Sequence, residues 1–193
     1  MNICIYGASS NIIDEVYIKG GETLGEIIAK RGHGIVYGGG AEGMMGAVAR
    51  GVNRENGSII GIAPSFFKVD GVLYDKCTEF IYTDTMRNRK EKMELLSDAF
   101  LVTPGGIGTY DEFFEILTLR QLCKHLKPIA IFDINDYFKP LIAMLDNTIS
   151  EKFMPQSNKD LYFVSDNPDE IIDYLENYKA NGTDITEFKH ISK

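Results

Sequence analysis

Phe100-Leu101-Val102-Thr103-Pro104-Gly105-Gly106-Ile107-Gly108-Thr109-Tyr110 passes from a short apolar run, through a loop of small residues, into a stretch of helical length that continues to Lys124. An apolar run without polar alternation reads as a strand covered on both faces, the habit of parallel sheets. The pattern recurs in both directions along the chain. Apolar runs at 3–6, 35–37, 59–63, 80–82, 129–132 and 162–164 join the one at 100–102. Amphipathic stretches at 22–31, 44–54, 86–97, 110–124, 137–149 and 168–177 separate most of them, and 64–79, with Pro64 and Gly71, reads as a loop. Strand-helix alternation predicts an α/β fold, a Rossmann-like doubly wound parallel sheet of about seven strands with helices on both faces.

At 193 residues the chain suits one domain. We expect a single nucleotide-binding α/β domain over 1–180 and a polar C-terminal tail over 181–193. The formal net charge is −8 and the 20 Lys and Arg are scattered, so nucleic acid is not an expected partner. Cys4, Cys77 and Cys123 are odd in number and set in apolar surroundings, as free buried thiols in a reducing compartment would be. The N-terminal apolar run is too short for a signal peptide and no run reaches membrane-spanning length, so a cytoplasmic protein without a membrane partner is expected. His33, His125 and His190 show no metal-ligand spacing and no C-x-x-C occurs, so neither metal nor cofactor is expected. No G-x-S-x-G elbow appears either.

In an open parallel sheet, ligands bind outside the carboxyl ends of the strands. Three predicted strands run straight into small-residue loops there: Gly7-Ala8-Ser9-Ser10, Gly38-Gly39-Gly40 with Gly43 and Gly46, and Pro104 to Thr109. Such loops let backbone N–H groups approach an anion, and a following helix N-terminus adds partial positive charge. Gly38, Gly40 and Gly43 match G-x-G-x-x-G, but the strand that should supply an acidic ribose ligand ends Ile62-Ala63-Pro64-Ser65, and no G-K-[ST] follows any loop. A dinucleotide and a P-loop triphosphate are thereby disfavoured. Tight turns and close helix packing remain the plain alternative for these glycines.

On the predicted helix 86–97, Arg89 falls in the stripe of Met86, Met93 and Leu96, where an unpaired guanidinium would be costly to bury. Snorkelling to solvent is the alternative. On the next predicted helix Glu112 sits in the first turn beside the stripe of Phe113, Ile116, Leu119 and Cys123. Thr109-x-x-Glu112 reads locally as a capping box, and on local evidence the cap is the simpler reading. Glu115 is either an exposed carboxylate or a second ligand contact. Arg120 is placed at a subunit interface or an internal salt bridge.

Met86-Arg87-Asn88-Arg89-Lys90 followed by Pro104-Gly105-Gly106-Ile107-Gly108-Thr109-Tyr110-Asp111-Glu112 closely resembles the paired M-x-x-R-K and P-G-G-x-G-T-x-x-E motifs of the cytokinin-activating phosphoribohydrolase family called LOG. The resemblance covers about residues 1–180. It implies hydrolysis of the N-glycosidic bond of an AMP, commonly N6-modified, to free base and ribose 5-phosphate. It also implies that Arg89 and Glu112 are catalytic. Gly105, Gly106, Gly108 and Thr109 would hold the phosphate, helped by Ser9, Gly39 and Gly40, and Met86, Lys90 and Glu115 would touch substrate. A homodimer is expected, as the family commonly forms. The chain departs from the family's G-S-S-x-G start at Ala8 and Asn11; Asn tolerates the left-handed conformation that Gly would take. Relatives of the family often carry a lysine decarboxylase label, which needs a pyridoxal phosphate Schiff base, and neither Lys90 nor Lys124 has a loop context that suggests one. The other alternative is a non-catalytic nucleotide-binding or carrier module with the same pocket.

Overall fold

Each apolar run becomes a strand in the computed structural model, which describes residues 1–180; the expected polar tail at 181–193 lies outside the described residues. In chain order the elements are β1 (Asn2–Tyr6), α1 (Glu15–Lys30), β2 (Gly34–Tyr37), α2 (Gly43–Arg54), β3 (Ile59–Pro64), β4 (Glu79–Thr83) and α3 (Met86–Leu96). They continue as β5 (Ala99–Val102), α4 (Ile107–Gln121), β6 (Ile129–Phe132), α5 (Lys139–Ser150), β7 (Phe163–Ser165) and α6 (Pro168–Asn177). The seven strands form one parallel sheet in the order β4-β3-β2-β1-β5-β6-β7. Strand order reverses at β1, so the carboxyl ends of β1 and β5, in register at Tyr6 and Val102, flank the switch point where a ligand crevice opens.

Alternation along the central strands builds both layers. Ile3 and Ile5 face the cluster formed with Leu24, Ile28, Val48 and Ile171 of α1, α2 and α6. Cys4 and Tyr6 face the other way, toward Met93, Phe113, Ile116 and Leu145 of α3, α4 and α5. Phe100 and Phe113 are fully buried, each contributing about 1.5–3 kcal/mol relative to exposure.

Three expectations need correction. Helix α1 begins at Glu15, seven residues before the predicted start: Asp14 caps it by accepting from Val16 N at 3.0 Å, and the Gly20-Gly21 pair lies inside the helix. A side chain at Gly20 would strike Ile134, and one at Gly21 would lie 2.9 Å from Ala47 Cβ, so these glycines are packing positions rather than breaks. Of the three cysteines only Cys4 is buried. Asn11 is not among the described residues with left-handed backbone; the loop is stitched by the backbone of Ala8, whose N–H donates to Pro104 O and whose carbonyl accepts from Met45 N. The hydroxyl that Ala8 lacks is therefore not needed for the turn.

Candidate active site

Three of the helices that begin at the carboxyl edge of the sheet carry no acidic residue in the first turn and open onto one cleft: α2 after Gly40, α3 after Thr83 and α4 after Gly106. The positive ends of α3 and α4 meet no carboxylate in their own first turns, whereas Glu42 stands at the cap of α2. Between them lies a cleft of about 620 Å³, lined on one side by Ser9, Ser10, Gly40, Gly106, Gly108 and Thr109. All three glycine loops reach it. On α4 the amide protons of Gly106, Ile107, Gly108 and Thr109 find no acceptor among the described residues, and the first helical bond runs from Tyr110 N to Gly106 O. A run of free N–H groups at a helix start is an anion seat.

Arg89 and Glu112 meet at the wall of this cleft. Thr85 caps α3 by accepting from Asn88 N at 3.1 Å, which sets Arg89 one turn inside the helix. Arg89 is 7% exposed and Glu112 8%, so neither snorkels. Arg89 Nε donates to the Ile62 carbonyl at 3.1 Å and its Nη1 donates to Glu112 Oε1 at 2.7 Å. A guanidinium already anchored by a carbonyl is a rigid arm for the carboxylate. The third corner of the guanidinium lies against Gly38, where a Cβ would collide with Nη2. Gly38 is thus a close-approach glycine for Arg89 as much as a turn residue.

The capping box at Thr109 and Glu112 does not form. Helix α4 starts three residues earlier, at Ile107, with Gly106 at the cap and no side-chain cap bond. Glu112 therefore stands in the second turn, free to reach across to α3. Burial holds its carboxyl above the ordinary carboxylate range, with the Arg89 charge opposing that effect.

Of the residues singled out from sequence, Ser9, Gly40, Met86, Arg89, Gly106, Gly108, Thr109 and Glu112 line the cleft. Gly39 and Gly105 lie behind it. Gly39 takes φ +76° next to Phe80, and a Cβ on Gly105 would crowd Thr109 and Ala8 N. Lys90 and Glu115 turn away from it. Lys90 Nζ sits 2.9 Å from Asp111 Oδ2 and 2.7 Å from Glu115 Oε2, on the outer side of the α3–α4 pair. Arg120 is buried inside the chain, donating to the Tyr178 hydroxyl at 3.1 Å.

The sequence reading missed the opposite wall. Glu42, Met45, Phe67, Val72 and Leu73 complete the cleft, and most come from the segment read only as a loop. That segment is tied across the opening by backbone bonds from Ala41 N to Val72 O and from Tyr74 N to Gly39 O. The signal was present in the apolar Phe66, Phe67, Val69 and Val72, unusual in a solvated loop. One wall therefore offers amide N–H groups and the other an apolar face. No group of three or more His, Cys, Asp or Glu able to hold a metal occurs among the described residues, and no helix among them is long and apolar enough to cross a membrane.

Residues 45–175 match the family model described as possible lysine decarboxylase. The chain is 31% identical over 176 residues to a probable cytokinin riboside 5′-monophosphate phosphoribohydrolase of Oryza sativa subsp. japonica, covering 91% of this chain and 72% of that one. It is 30% identical over 177 residues to a cytokinin riboside 5′-monophosphate phosphoribohydrolase of Arabidopsis thaliana, covering 92% and 78%. Among solved structures, the molybdenum cofactor binding protein of Rippkaea orientalis superposes with a TM-score of 0.70 at 22% identity, covering 91% of this chain and 94% of that one. At that identity the likeness establishes the shared fold alone.

Proposed function

This chain belongs to the cytokinin riboside 5′-monophosphate phosphoribohydrolase family, and from that membership and the geometry of its cleft we propose that it hydrolyses the N-glycosidic bond of adenosine 5′-monophosphate or an N6-modified derivative. The observation that carries the reading is the buried Arg89–Glu112 pair set in the same cleft as the free amides that open α4. A 5′-phosphate seated on those amides holds the ribose between cradle and carboxylate. Cleavage sends the C1′–N9 bonding pair to the base and leaves positive charge on the ribose, which Glu112 stabilises while steering water to C1′. Water supplies the hydroxyl at C1′ and a proton to the departing base. Arg89 holds Glu112 ionised and in place, and the phosphate anchor supplies positioning.

The description as a possible lysine decarboxylase implies pyridoxal phosphate, and the residues present do not fit it. A Schiff base needs a lysine amine in the pocket. No lysine is among the described residues lining the cleft, and Lys90 is held outside it by two carboxylates.

Purified protein incubated with AMP and with N6-isopentenyl-AMP, followed by separation of products, tests the proposal. Equal amounts of free base and ribose 5-phosphate are expected. If nucleotide binds but no purine monophosphate yields free base, the carrier reading replaces the hydrolase.

A further inference from the structure

The loop from Pro104 to Gly106 contains two peptide groups whose orientation decides whether the cleft meets N–H donors or carbonyl oxygens. In a planar trans peptide the carbonyl of one residue and the N–H of the next point in opposite directions. Anchoring the carbonyl therefore aims the following amide. The Pro104 carbonyl is anchored by the backbone, accepting from Ala8 N at 3.0 Å, and the Gly106 carbonyl is committed to Tyr110 N at 3.1 Å. The Gly105 carbonyl is held differently, by a side chain: the Tyr137 hydroxyl donates to it at 2.7 Å. The peptide is crowded on its Gly105 side, by Thr109 and Ala8 N, but open on its Gly106 side, where a Cβ would meet nothing within 4 Å. Glycine on both sides makes rotation of this peptide easy.

The segment that delivers Tyr137 is constrained for the purpose. Asn135 and Asp136 take consecutive left-handed conformations, at φ +58° and +57°. Asn and Asp tolerate that region better than other side chains do, yet it persists only where surroundings over-determine it. Here Asp133 Oδ1 accepts from Phe138 N at 2.6 Å, and Asn135 Nδ2 donates to the Tyr17 hydroxyl at 3.4 Å. The Tyr137 ring then lies edge-on to Tyr17 and to Phe138, with centroids 5.8 Å and 5.0 Å away.

We infer that Tyr137 is a positioning residue for the anion cradle: by holding the Gly105 carbonyl it turns the Gly106 N–H, and not a carbonyl oxygen, toward the cleft. Loss of the bond lets the peptide turn and exposes a lone pair where the phosphate oxygen sits. The inference rests on the reading of this cleft as a 5′-phosphate site.

Tyr137→Phe keeps the ring contacts and deletes the hydroxyl. The KM for AMP and the inhibition constant of ribose 5-phosphate are expected to rise about tenfold, with kcat at saturation changed less than about twofold. Inhibition by free adenine, which has no phosphate, should stay as in the wild type; a general loosening of the fold would weaken both inhibitors. Unchanged affinity for ribose 5-phosphate in the variant overturns the inference. Equal weakening of ribose 5-phosphate and adenine overturns it as well. A wild-type protein that binds no ribose 5-phosphate and cleaves no AMP brings down the reading of the cleft itself and this inference with it. Should the variant not fold, titration of labelled wild-type protein with inorganic phosphate serves instead: the Gly106 amide resonance must shift, and one that stays still while Gly108 moves overturns the assignment.

Discussion

Two charged groups join α3 to α4, built on the neighbouring cations Arg89 and Lys90, and they differ in almost everything else. The inner pair, Arg89 with Glu112, is nearly closed to solvent, is anchored by a β3 carbonyl and lines the cleft. The outer group, Lys90 with Asp111 and Glu115, has side-chain exposures of 20%, 60% and 43% and reaches no part of the cleft lining. A step of one residue turns a helix by about 100°, enough to exchange cavity for solvent. Charge alone is therefore a poor guide to chemistry. Burial raises the cost of an unsatisfied carboxylate and the strength of its interactions, whereas water screens the outer group to about 0–1 kcal/mol per pair.

The contrast breaks first at Glu112. Glu112→Gln is expected to lower kcat for AMP by roughly a hundredfold or more while nucleotide still binds, measured by product separation beside a binding titration. Full turnover in this variant would leave the inner pair a structural strut no different in kind from the outer one. Gly38→Ala comes next, since its methyl group must push the guanidinium off the carboxylate; kcat/KM should fall by about tenfold or more with a modest change in melting temperature. A variant with an unmoved kcat/KM would mean that the Arg89 position tolerates displacement.

The pH profile sharpens the difference further. The proposed chemistry needs Glu112 ionised, and burial holds its carboxyl above the ordinary range, so kcat/KM should fall on the acid side with an apparent pKa above that of a free glutamate. The stability sign is opposite. A carboxyl with a raised folded pKa favours folding below its unfolded value and loses that contribution as pH rises through the folded one. Relative to Glu112→Gln, the wild type should lose melting temperature as pH increases across that window. The smallest effect is expected at the outer group: Glu115→Gln should change kcat/KM by less than about threefold and stability by about 0–1 kcal/mol. A large rise in KM there would put Glu115 in contact with substrate after all.

Strands were legible in the sequence as short apolar runs. All seven strands appear within about one residue of their predicted spans: the five inner ones are covered on two sides and apolar throughout, and the partly buried edge strands β4 and β7 still keep a short apolar run. Helix starts were harder. At α1 the predicted span starts at residue 22, past the Gly20-Gly21 pair, whose absent side chains are what let α2 and Ile134 approach. At α4 the Thr109 and Glu112 spacing suited a cap, and only the position of Gly106 shows that the helix had already begun. The wall formed by Phe67, Val72 and Leu73 had no regular element to mark it, since its shape comes from strap-like bonds to Gly39 and Ala41.

What the amino-acid sequence determined by itself was the alternation of elements, the three glycine loops at one sheet edge and the presence of an arginine and a glutamate on apolar helix stripes. These are consequences of local pattern, because period and side-chain size are written residue by residue. What only the tertiary structure decided was the pairing: that Arg89 meets Glu112 rather than solvent, that Lys90 and Glu115 face outward, and that Tyr137 reaches the Gly105 carbonyl. Those contacts join residues 23, 25 and 32 positions apart. Their geometry depends on how helices rotate when they settle on a twisted sheet, and no local pattern carries that angle.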